Sequence, residues 1–442
     1  MDVQPNTVID QEASDRLYRK IVGKLLPLLM IAYILNYIDR SNIGFAKLQF
    51  MPDLGMTEAM FGLGAGLFYL GYSLWEIPSN LILRKYGARI TLARIMICWG
   101  LVSAAFMFMT TPMHYYILRI LLGIAEAGLF PGILLYISFW IPASRRAGFT
   151  AMFMSSMAIA SIIGGPLSGF IMHYFEGVAG MRGWQWMFLI EGLPAAFMGI
   201  VVFYKLVDKP TQAKWLTEKE KQLLQAEFDA EDQVRKTEVG GHHNFLSALR
   251  DLRFYSMAGM SMCLVAGGAG LQIWMPTIIR ESGVSNVWNV GLLSALPFVF
   301  AVIVQQLVAR HSDRVQERRW HAAIPTFIAA IGWVLLTQIN HNLILSMIAL
   351  TIIACGFMGA TGPFWAMPSR YLAGTAAAGG LALIAMLGGV GAFFSPAIVG
   401  LIASHTGSFK FGYLYYAVLM VVGPAIMLYG TYLIEREKKQ TV

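Results

Sequence analysis

The chain has 442 residues, of which 57% are hydrophobic and 13% are charged, and its formal net charge is +8. A soluble domain carries about 25% charged residues, so this composition excludes an ordinary soluble protein of the same length. The basic residues stand in short stretches between apolar runs and not along one continuous face, which argues against nucleic acid as a partner. The mean hydropathy of +0.59 indicates a chain whose solvent is membrane lipid.

The amino-terminal segment is polar and lacks the apolar core of a signal peptide, so residues 1–24 are predicted to form a cytoplasmic tail. The three cysteines all fall inside apolar runs, without CxxC or Cys/His spacing. We therefore predict no disulfide, no metal site and no cofactor.

Apolar runs of about 20 residues, the length that crosses a membrane as a helix, recur along the chain. We predict twelve such spans, at 25–50, 59–82, 90–110, 113–140, 147–174, 184–206, 254–279, 287–309, 321–340, 342–367, 376–403 and 411–434. The predicted fold class is therefore an all-α polytopic membrane protein, with a six-helix bundle at 25–206, a second at 254–434 and a short tail at 435–442.

The positions of the basic residues predict the orientation in the membrane, because Lys and Arg are retained in cytoplasmic loops. With a cytoplasmic amino terminus, one set of loops holds most of the 33 Lys and Arg residues. The opposite loops are predicted to hold only Lys47, Arg182, Arg280 and Lys410. Both termini are therefore predicted to be cytoplasmic.

A polar stretch at 207–253 separates the two sets of spans and is predicted to be a cytoplasmic central loop. Thr217 and Glu220 form a T-x-x-E capping box before Leu223, Leu224 and Phe228, which predicts an amphipathic helix. We interpret the stretch as a linker without a binding partner.

The two halves repeat short motifs at nearly one offset, which is typical of transporters built from two homologous bundles. The fourth span ends in Phe139-Trp140-Ile141-Pro142-Ala143-Ser144-Arg145-Arg146, and the tenth ends in Phe364-Trp365-Ala366-Met367-Pro368-Ser369-Arg370. A basic stretch also follows both the second span, at 84–89, and the eighth, at 313–319. Such halves predict a substrate site near the middle of the membrane, reached alternately from each side; the alternative is a chance match of basic helix ends.

Four ionisable residues in the first and fourth predicted spans are the leading candidates, because a charge inside the membrane is costly and indicates function. Asp39 and Arg40 lie in the first span, and Arg119 and Glu126 lie on one face of the fourth. Arg presents a planar fork that holds a carboxylate, and a buried Asp or Glu can change its protonation state. This set predicts an organic anion that travels with protons; the alternative is two static pairs, Asp39–Arg40 and Arg119–Glu126.

Further polar residues in the spans are weaker candidates, because Tyr and Trp at helical spacing are more often packing residues. Tyr69, Tyr72, Gln272 and Trp274 could line the pore, and Glu76, beside Pro78, could order a cytoplasmic gate. Glu191 is interpreted as packing against a basic loop. The glycine-rich runs near 62–66, 164–169 and 388–391 are interpreted as sites where helices approach closely.

At the level of motifs, the chain resembles the anion:cation symporter family of the major facilitator superfamily, and the resemblance covers all twelve spans. It rests on Asn36-Tyr37-Ile38-Asp39-Arg40-Ser41-Asn42-Ile43-Gly44-Phe45-Ala46, Ile77-Pro78-Ser79-Asn80-Leu81, Gly87-Ala88-Arg89, Gly123-Ile124-Ala125-Glu126-Ala127-Gly128, Gly183-Trp184-Gln185-Trp186 and Phe364-Trp365-Ala366-Met367-Pro368.

The resemblance implies proton-coupled import of small organic anions such as sugar acids, tartrate-like acids, phthalate or hydroxyphenylacetate. It implies that Asp39 and Glu126 carry protons, that Arg40 and Arg119 bind the anion, and that Tyr72 and Trp365 lie near the substrate path. The inner loops would carry the gate, with the residues Arg84, Arg89, Arg145, Asp313 and Arg314.

Three positions depart from the family pattern. Arg84 replaces the family's inner-loop Asp, which the second half keeps as Asp313, and Ala385 and Gly389 stand where many relatives carry Asn. Fewer amide donors favour a less hydroxylated acid, such as an aromatic one.

Other functions were weighed against import. Proton-driven efflux of an organic compound and a nutrient sensor with a transporter fold remain as alternatives, whereas no catalytic motif supports an enzyme. We predict a monomer in lipid, in a plasma membrane or bacterial inner membrane.

Overall fold

The computed structural model describes residues 11–238, 252–339, 341–368 and 375–440. Its regular elements are fourteen α-helices with three short 3-10 turns, and these described segments contain no strand. The helices are α1 (Gln11–Asp53), α2 (Glu58–Tyr86), α3 (Ala88–Ala105), α4 (Pro112–Glu126), α5 (Leu129–Trp140), α6 (Ala143–Tyr174), α7 (Gly183–Lys205), α8 (Glu218–Glu238), α9 (Leu252–Glu281), α10 (Val287–Val315), α11 (Arg319–Gln338), α12 (Leu343–Trp365), α13 (Thr375–Thr406) and α14 (Lys410–Gln440). Arg370 and part of the central loop, 239–251, lie outside the described residues.

The predicted spans correspond to these helices, with α4 and α5 forming one interrupted span. By length and composition, eleven of the described helices could cross a membrane. The predicted span that is not among these eleven is α2, although it is 29 residues long. Its glycines and tyrosines lower its hydropathy, but they let it pack against α4 and α13 inside the bundle. Composition alone therefore fails to identify α2 as a membrane span.

The two halves contain equivalent helices, as the repeated motifs predicted. Trp140 ends α5 in the first half, and Trp365 ends α12 in the second. Consecutive spans run in opposite directions, so the connections between spans alternate between two ends of the bundle. We call the end with the connections at 54–57, 175–182, 282–286 and 407–409 the distal face, and the end that carries α8 the proximal face.

The halves meet through helices that approach closely near the distal face. A Cβ added to Gly62 or Gly66 of α2 would collide with the backbone of α13 at Pro396 or Phe393. On the other side of the bundle, a Cβ on Gly169 of α6 would lie 2.8 Å from the carbonyl oxygen of Val287 in α10. Small residues permit this contact between helix backbones. The distal face is therefore closed.

The first helix begins well before the first predicted span and includes residues 11–24, which the sequence assigned to a polar tail. Its polar residues find partners on α8. Ser14 and Tyr18 donate hydrogen bonds to Glu227 over 2.6 and 2.7 Å, and Lys20 pairs with Glu220 at 2.8 Å. The helix and capping box predicted at Thr217 are confirmed, but the prediction of a linker without a partner is wrong, since α8 is bound to α1.

The contact between α1 and α8 is expected to weaken in acid. Burial alone would raise the pKa of Glu220, but hydrogen bonds from Lys20 and Thr217 lower it below its ordinary value. A carboxylate with a lowered pKa stabilises the folded contact at neutral pH, and this stabilisation is lost as the pH falls through the lowered pKa. Glu220→Gln should therefore speed hydrogen exchange of the α8 amides severalfold at neutral pH, and acid should remove the difference from the wild type.

Glu218→Gln is the matched control, because Glu218 pairs only within α8, with Lys221. Equal exchange in the two variants would mean that Lys20 does not hold α8 in place.

Candidate functional site

A partly buried ion pair joins α1 to the end of α4, with Glu126 fully buried and Arg40 21% exposed. Arg40 Nε lies 2.7 Å from Glu126 Oε2, and Asn36, one helical turn earlier, donates its Nδ2 hydrogen to the same oxygen over 2.8 Å. Glu126 is fully buried, and its Oε1 has no hydrogen-bond partner among the described residues. One carboxylate oxygen thus holds the guanidinium, while the other is open to a proton.

Glu126 owes its position to a break in the helix. It is the last residue of α4, and Gly128 then adopts a φ of +91° before α5 begins at Leu129. Residues with a side chain rarely adopt this conformation, and a Cβ at Gly128 would also lie 2.7 Å from the Cβ of Ser79. A negative charge is unfavourable at the carboxyl end of a helix, so an ionised Glu126 depends on Arg40.

Arg119 lies on α4 two turns before Glu126 but turns towards α2. Its Nε and Nη2 donate to the backbone oxygens of Gly64 and Ala65 over 3.3 Å each, and the residue is only 3% exposed. Its guanidinium carbon lies 4.7 Å from the centre of the Phe68 ring. Backbone carbonyls and an aromatic face therefore surround this cation in place of the carboxylate of Glu126.

The two arginines flank the same aromatic side chain. Arg40 lies 5.4 Å from the centre of the Phe68 ring and 4.8 Å from that of Tyr72. Cation–π contacts of this kind hold a guanidinium without neutralising it. Phe68 and Tyr72 therefore keep two positive groups close to the end of α4.

Asp39 belongs to a separate network, although it is next to Arg40 in the chain. Its carboxylate accepts hydrogen bonds from Trp99 Nε1 over 3.0 Å, from Asn42 Nδ2 over 3.1 Å and from the Ser103 hydroxyl. All these donors are neutral. Because neighbouring residues of a helix point about 100° apart, Asp39 faces α3 while Arg40 faces α4. The alternative of static Asp39–Arg40 and Arg119–Glu126 pairs is therefore wrong, because the ion pair that forms is Arg40–Glu126.

Glu191 of α7 extends the network of Asp39. Asn42 Nδ2 donates to Glu191 Oε2 over 3.0 Å, and the Ser168 hydroxyl donates to Oε1 over 2.8 Å. The residue is 4% exposed, so the interpretation that it packs against a basic loop is wrong. Two buried carboxylates are thus bridged by one amide group.

This bridge predicts unequal effects of two substitutions at Glu191. Leucine would leave the donors of Asn42 and Ser168 without an acceptor, whereas glutamine keeps an acceptor oxygen. We expect Glu191→Leu to lower the unfolding temperature in detergent by about 3 °C more than Glu191→Gln does. Equal unfolding temperatures, measured by fluorescence during heating, would contradict a structural role for the bridge.

Of the remaining membrane candidates, Tyr69 lies beside the aromatic contacts of the arginines, and the other three lie elsewhere in the bundle. Tyr69 packs edge-on against Phe68 at 5.1 Å, on the same side of α2 as the arginines' aromatic contacts. Gln272 lines a small cavity between the halves, together with Tyr37 and Ser294. Trp274 is fully buried near the distal face, where it donates to the Tyr416 hydroxyl over 3.1 Å. Trp365 ends α12 and packs edge-on against Phe364.

Five of the predicted gate residues lie at the proximal face, whereas Glu76 lies inside α2, one turn after Tyr72. Arg84 and Arg314 are exposed, and Glu76 is half-buried in α2. The other three have named partners: the Arg89 backbone N–H donates to Asp208 over 2.8 Å, Arg145 pairs with Asp15 at 2.6 Å, and Asp313 pairs with Arg318.

Sequence reasoning missed Asn36, Asn42 and Ser103 as partners of the buried carboxylates. Asn36 stands four residues before Arg40, a spacing that places both on one helix face. That spacing was a usable signal for Asn36; nothing in the sequence marks Ser103, which meets Asp39 only after folding. Among the described residues, no three His, Cys, Asp or Glu side chains are placed to hold a metal ion.

The helix topology and the buried charges define a polytopic transporter. A family model for the Major Facilitator Superfamily matches residues 29–396, so the chain belongs to this superfamily. The xylose transporter XylE from Escherichia coli, in an inward open conformation, has the same fold, with a TM-score of 0.73 and 14% identity over 92% of this chain and 95% of that one.

Several relatives are similar over nearly their whole length. A putative tartrate transporter of Agrobacterium vitis is 43% identical over 95% of this chain and 92% of its own length. The putative metabolite transport protein NicT of Pseudomonas putida is 41% identical over 89% of each chain. A quinolone resistance transporter of Acinetobacter baumannii is 38% identical over 96% of this chain and 97% of its own. The protein is therefore a multi-pass membrane transporter and not an enzyme. These relatives agree with the resemblance of its motifs to the anion:cation symporters.

Proposed function

We propose that the protein imports a small organic anion together with protons. The observation that carries this proposal is the partly buried Arg40–Glu126 pair, in which the cation able to bind an anion is neutralised by a group able to bind a proton. An organic carboxylate and Glu126 compete for the same guanidinium. Protonation of Glu126 releases Arg40, and an anion bound to Arg40 favours a protonated Glu126.

This competition links the two ligands thermodynamically. Each ligand raises the affinity for the other by the same factor, because the coupling free energy is shared. A monoanion and one proton enter together without net charge, so the buried site remains neutral in both the loaded and the empty state. Arg119 supplies a second positive group close to Phe68 and would hold the other end of the anion.

Asp39 is proposed as a second proton carrier. It is 1% exposed and is held by neutral donors alone among its described hydrogen-bond partners, so no described cation in that network offsets its charge. Glu191 acts on it through space, and so does Glu126. Protonating Asp39 or Glu126 would favour ionisation of the other, which suits release of the two protons in sequence.

Import also requires an orientation and a release step. We place the proximal face in the cytoplasm of a bacterial inner membrane, from the distribution of Lys and Arg. The contacts between the halves near Gly62 and Gly169 lie towards the distal face, which is the arrangement of a transporter that releases its cargo inward.

The substrate class is a carboxylate, as in the putative tartrate transporters among the relatives. The sequence favoured an aromatic acid because Ala385 and Gly389 stand where many relatives carry Asn. Gly389 also lies against α2, where an added Cβ would come 2.8 Å from Ser73 Oγ. Close packing against α2 is therefore another explanation for a glycine at this position. For this reason both hydroxy acids and aromatic acids are tested.

The test is proton uptake by vesicles that contain the purified protein, on addition of tartrate, galactonate, phthalate, hydroxyphenylacetate or nicotinate. We expect alkalinisation of the medium with at least one acid, and loss of the signal with Arg119→Ala. Net uptake of a labelled acid without proton movement would contradict symport, and an acid that binds without counterflow would indicate a sensor.

Drug efflux is the second candidate, because one relative is named a quinolone resistance transporter. It predicts that cells expressing the protein tolerate quinolones better, and that inverted vesicles accumulate the drug when a proton gradient is applied. Accumulation of an organic acid by right-side-out vesicles, with unchanged drug tolerance, would favour import.

A further inference from the structure

Lys47 is a buried cation at the distal face, well away from Arg40 and Arg119. It was predicted to lie in an outer loop, but it belongs to α1 and is 3% exposed. Its Nζ lies 2.7 Å from Glu58 Oε2 and donates a hydrogen bond to Thr277 Oγ1 over 3.0 Å. These contacts stabilise the ammonium group, because burial of an unpaired charge is costly.

Three aromatic rings complete the surroundings of the ammonium group. Nζ lies 4.3 Å from the centre of the Trp274 ring, 5.0 Å from that of Phe61 and 5.2 Å from that of Phe409. Cation–π attraction is strongest at such desolvated sites and strongest for Trp. We call Lys47, Glu58, Phe61, Thr277, Trp274 and Phe409 the lysine cage.

The lysine cage is divided between the two halves of the transporter. Lys47 and its counter-ion Glu58 belong to the first half, with Phe61, whereas Thr277, Trp274 and Phe409 belong to the second. If the halves separate at the distal face, the ion pair stays together in the first half. The second half withdraws one hydrogen-bond acceptor and two aromatic rings, together with Glu281, which also attracts Lys47 through space. The ion pair of Lys47 with Glu58 is not broken by opening.

Water can replace what the second half withdraws. Glu58 also lines a cavity of about 480 Å³ at this face, together with Glu281, Phe409 and Lys410. Hydration of Lys47 after opening offsets the loss of the bond to Thr277 and of the aromatic contacts. Because hydration offsets the contacts that are lost, the cage can stabilise the closed distal face and still let this face open within a transport cycle.

We propose that the lysine cage is the latch of the distal face, with Lys47 and Glu58 as its fixed part and Thr277, Trp274 and Phe409 as its releasable part. Two further hydrogen bonds between the halves flank it. Arg280 Nη1 donates to the backbone oxygen of Leu48 over 2.6 Å, and the backbone N–H of Ala59 donates to Ser404 Oγ over 2.9 Å.

The test measures the width of the distal face directly and requires no substrate. Spin labels are placed at V178C in the first half and H405C in the second, both exposed, after replacement of Cys98, Cys263 and Cys355. Electron–electron distance measurements on the full chain then give the fraction of molecules with a separated distal face. Thr277→Val removes the acceptor of Lys47 with little change in volume, and we expect it to raise this fraction roughly tenfold. Lys47→Met should act in the same direction.

Thr326→Val is the matched control, because Thr326 is also buried but donates its hydroxyl to Ala322 of its own helix over 2.8 Å. A Thr277→Val distribution equal to that of Thr326→Val would overturn the proposal. If Lys47→Met does not fold, Thr277→Val alone decides. The result is independent of whether the cargo is an organic anion.

Discussion

Replacement of Glu126 by glutamine is expected to abolish uphill accumulation of the anion while leaving exchange of labelled for unlabelled anion intact. Glutamine keeps an oxygen that can accept from Asn36 and Arg40, so the end of α4 should retain its structure. It cannot gain or lose a proton, so the proton gradient no longer drives the cycle. We expect accumulation to fall by roughly 100-fold, as for other losses of a proton-transferring group.

The measurement compares uptake by vesicles under an inward proton gradient with counterflow in the absence of a gradient. Glu218→Gln is the control, because the side chain of Glu218 is 80% exposed on α8. Undiminished accumulation by the Glu126→Gln protein would show that the coupling proton binds elsewhere, and Asp39 would then be the next carboxylate to replace.

Replacement of Arg40 by lysine should weaken anion binding by roughly tenfold to 100-fold while leaving the fold intact. Lysine keeps the positive charge that Glu126 needs, but it lacks the planar fork that binds a carboxylate through two parallel hydrogen bonds. The guanidinium contacts with Phe68 and Tyr72 would also be lost. The effect should appear in the substrate concentration that half-saturates counterflow.

Arg16→Lys provides the matched control, because Arg16 is exposed near the start of α1. Half-saturation at the wild-type concentration in the Arg40→Lys protein would remove Arg40 from the anion site. Arg119, which lies against the same Phe68 ring, would then remain as the principal candidate.

The sequence predicted most of the fold because membrane helices follow from local composition. Long apolar runs, the repeated Phe-Trp helix ends and the clusters of glycine all act within a short stretch of chain. The span that composition understates is α2, whose glycines serve contacts with α4 and α13 that no single stretch reveals.

The sequence identified the charged residues of the candidate site but not which of them form an ion pair. Asp39, Arg40, Arg119 and Glu126 were selected because a charge in a membrane span indicates function. Their neighbours in the chain suggested the pairs Asp39–Arg40 and Arg119–Glu126, whereas the folded protein pairs Arg40 with Glu126 across two helices.

The sequence by itself thus determined the class of protein, the spans and four of the charges inside them, because each depends on residues close together in the chain. The tertiary structure alone decided which charges meet, where α8 binds and that Lys47 is enclosed by both halves. The physical reason is that a buried charge is stabilised by groups that helix packing brings together from distant parts of the chain. Periodicity gives the face of a helix on which such a charge lies but not the helix that it meets.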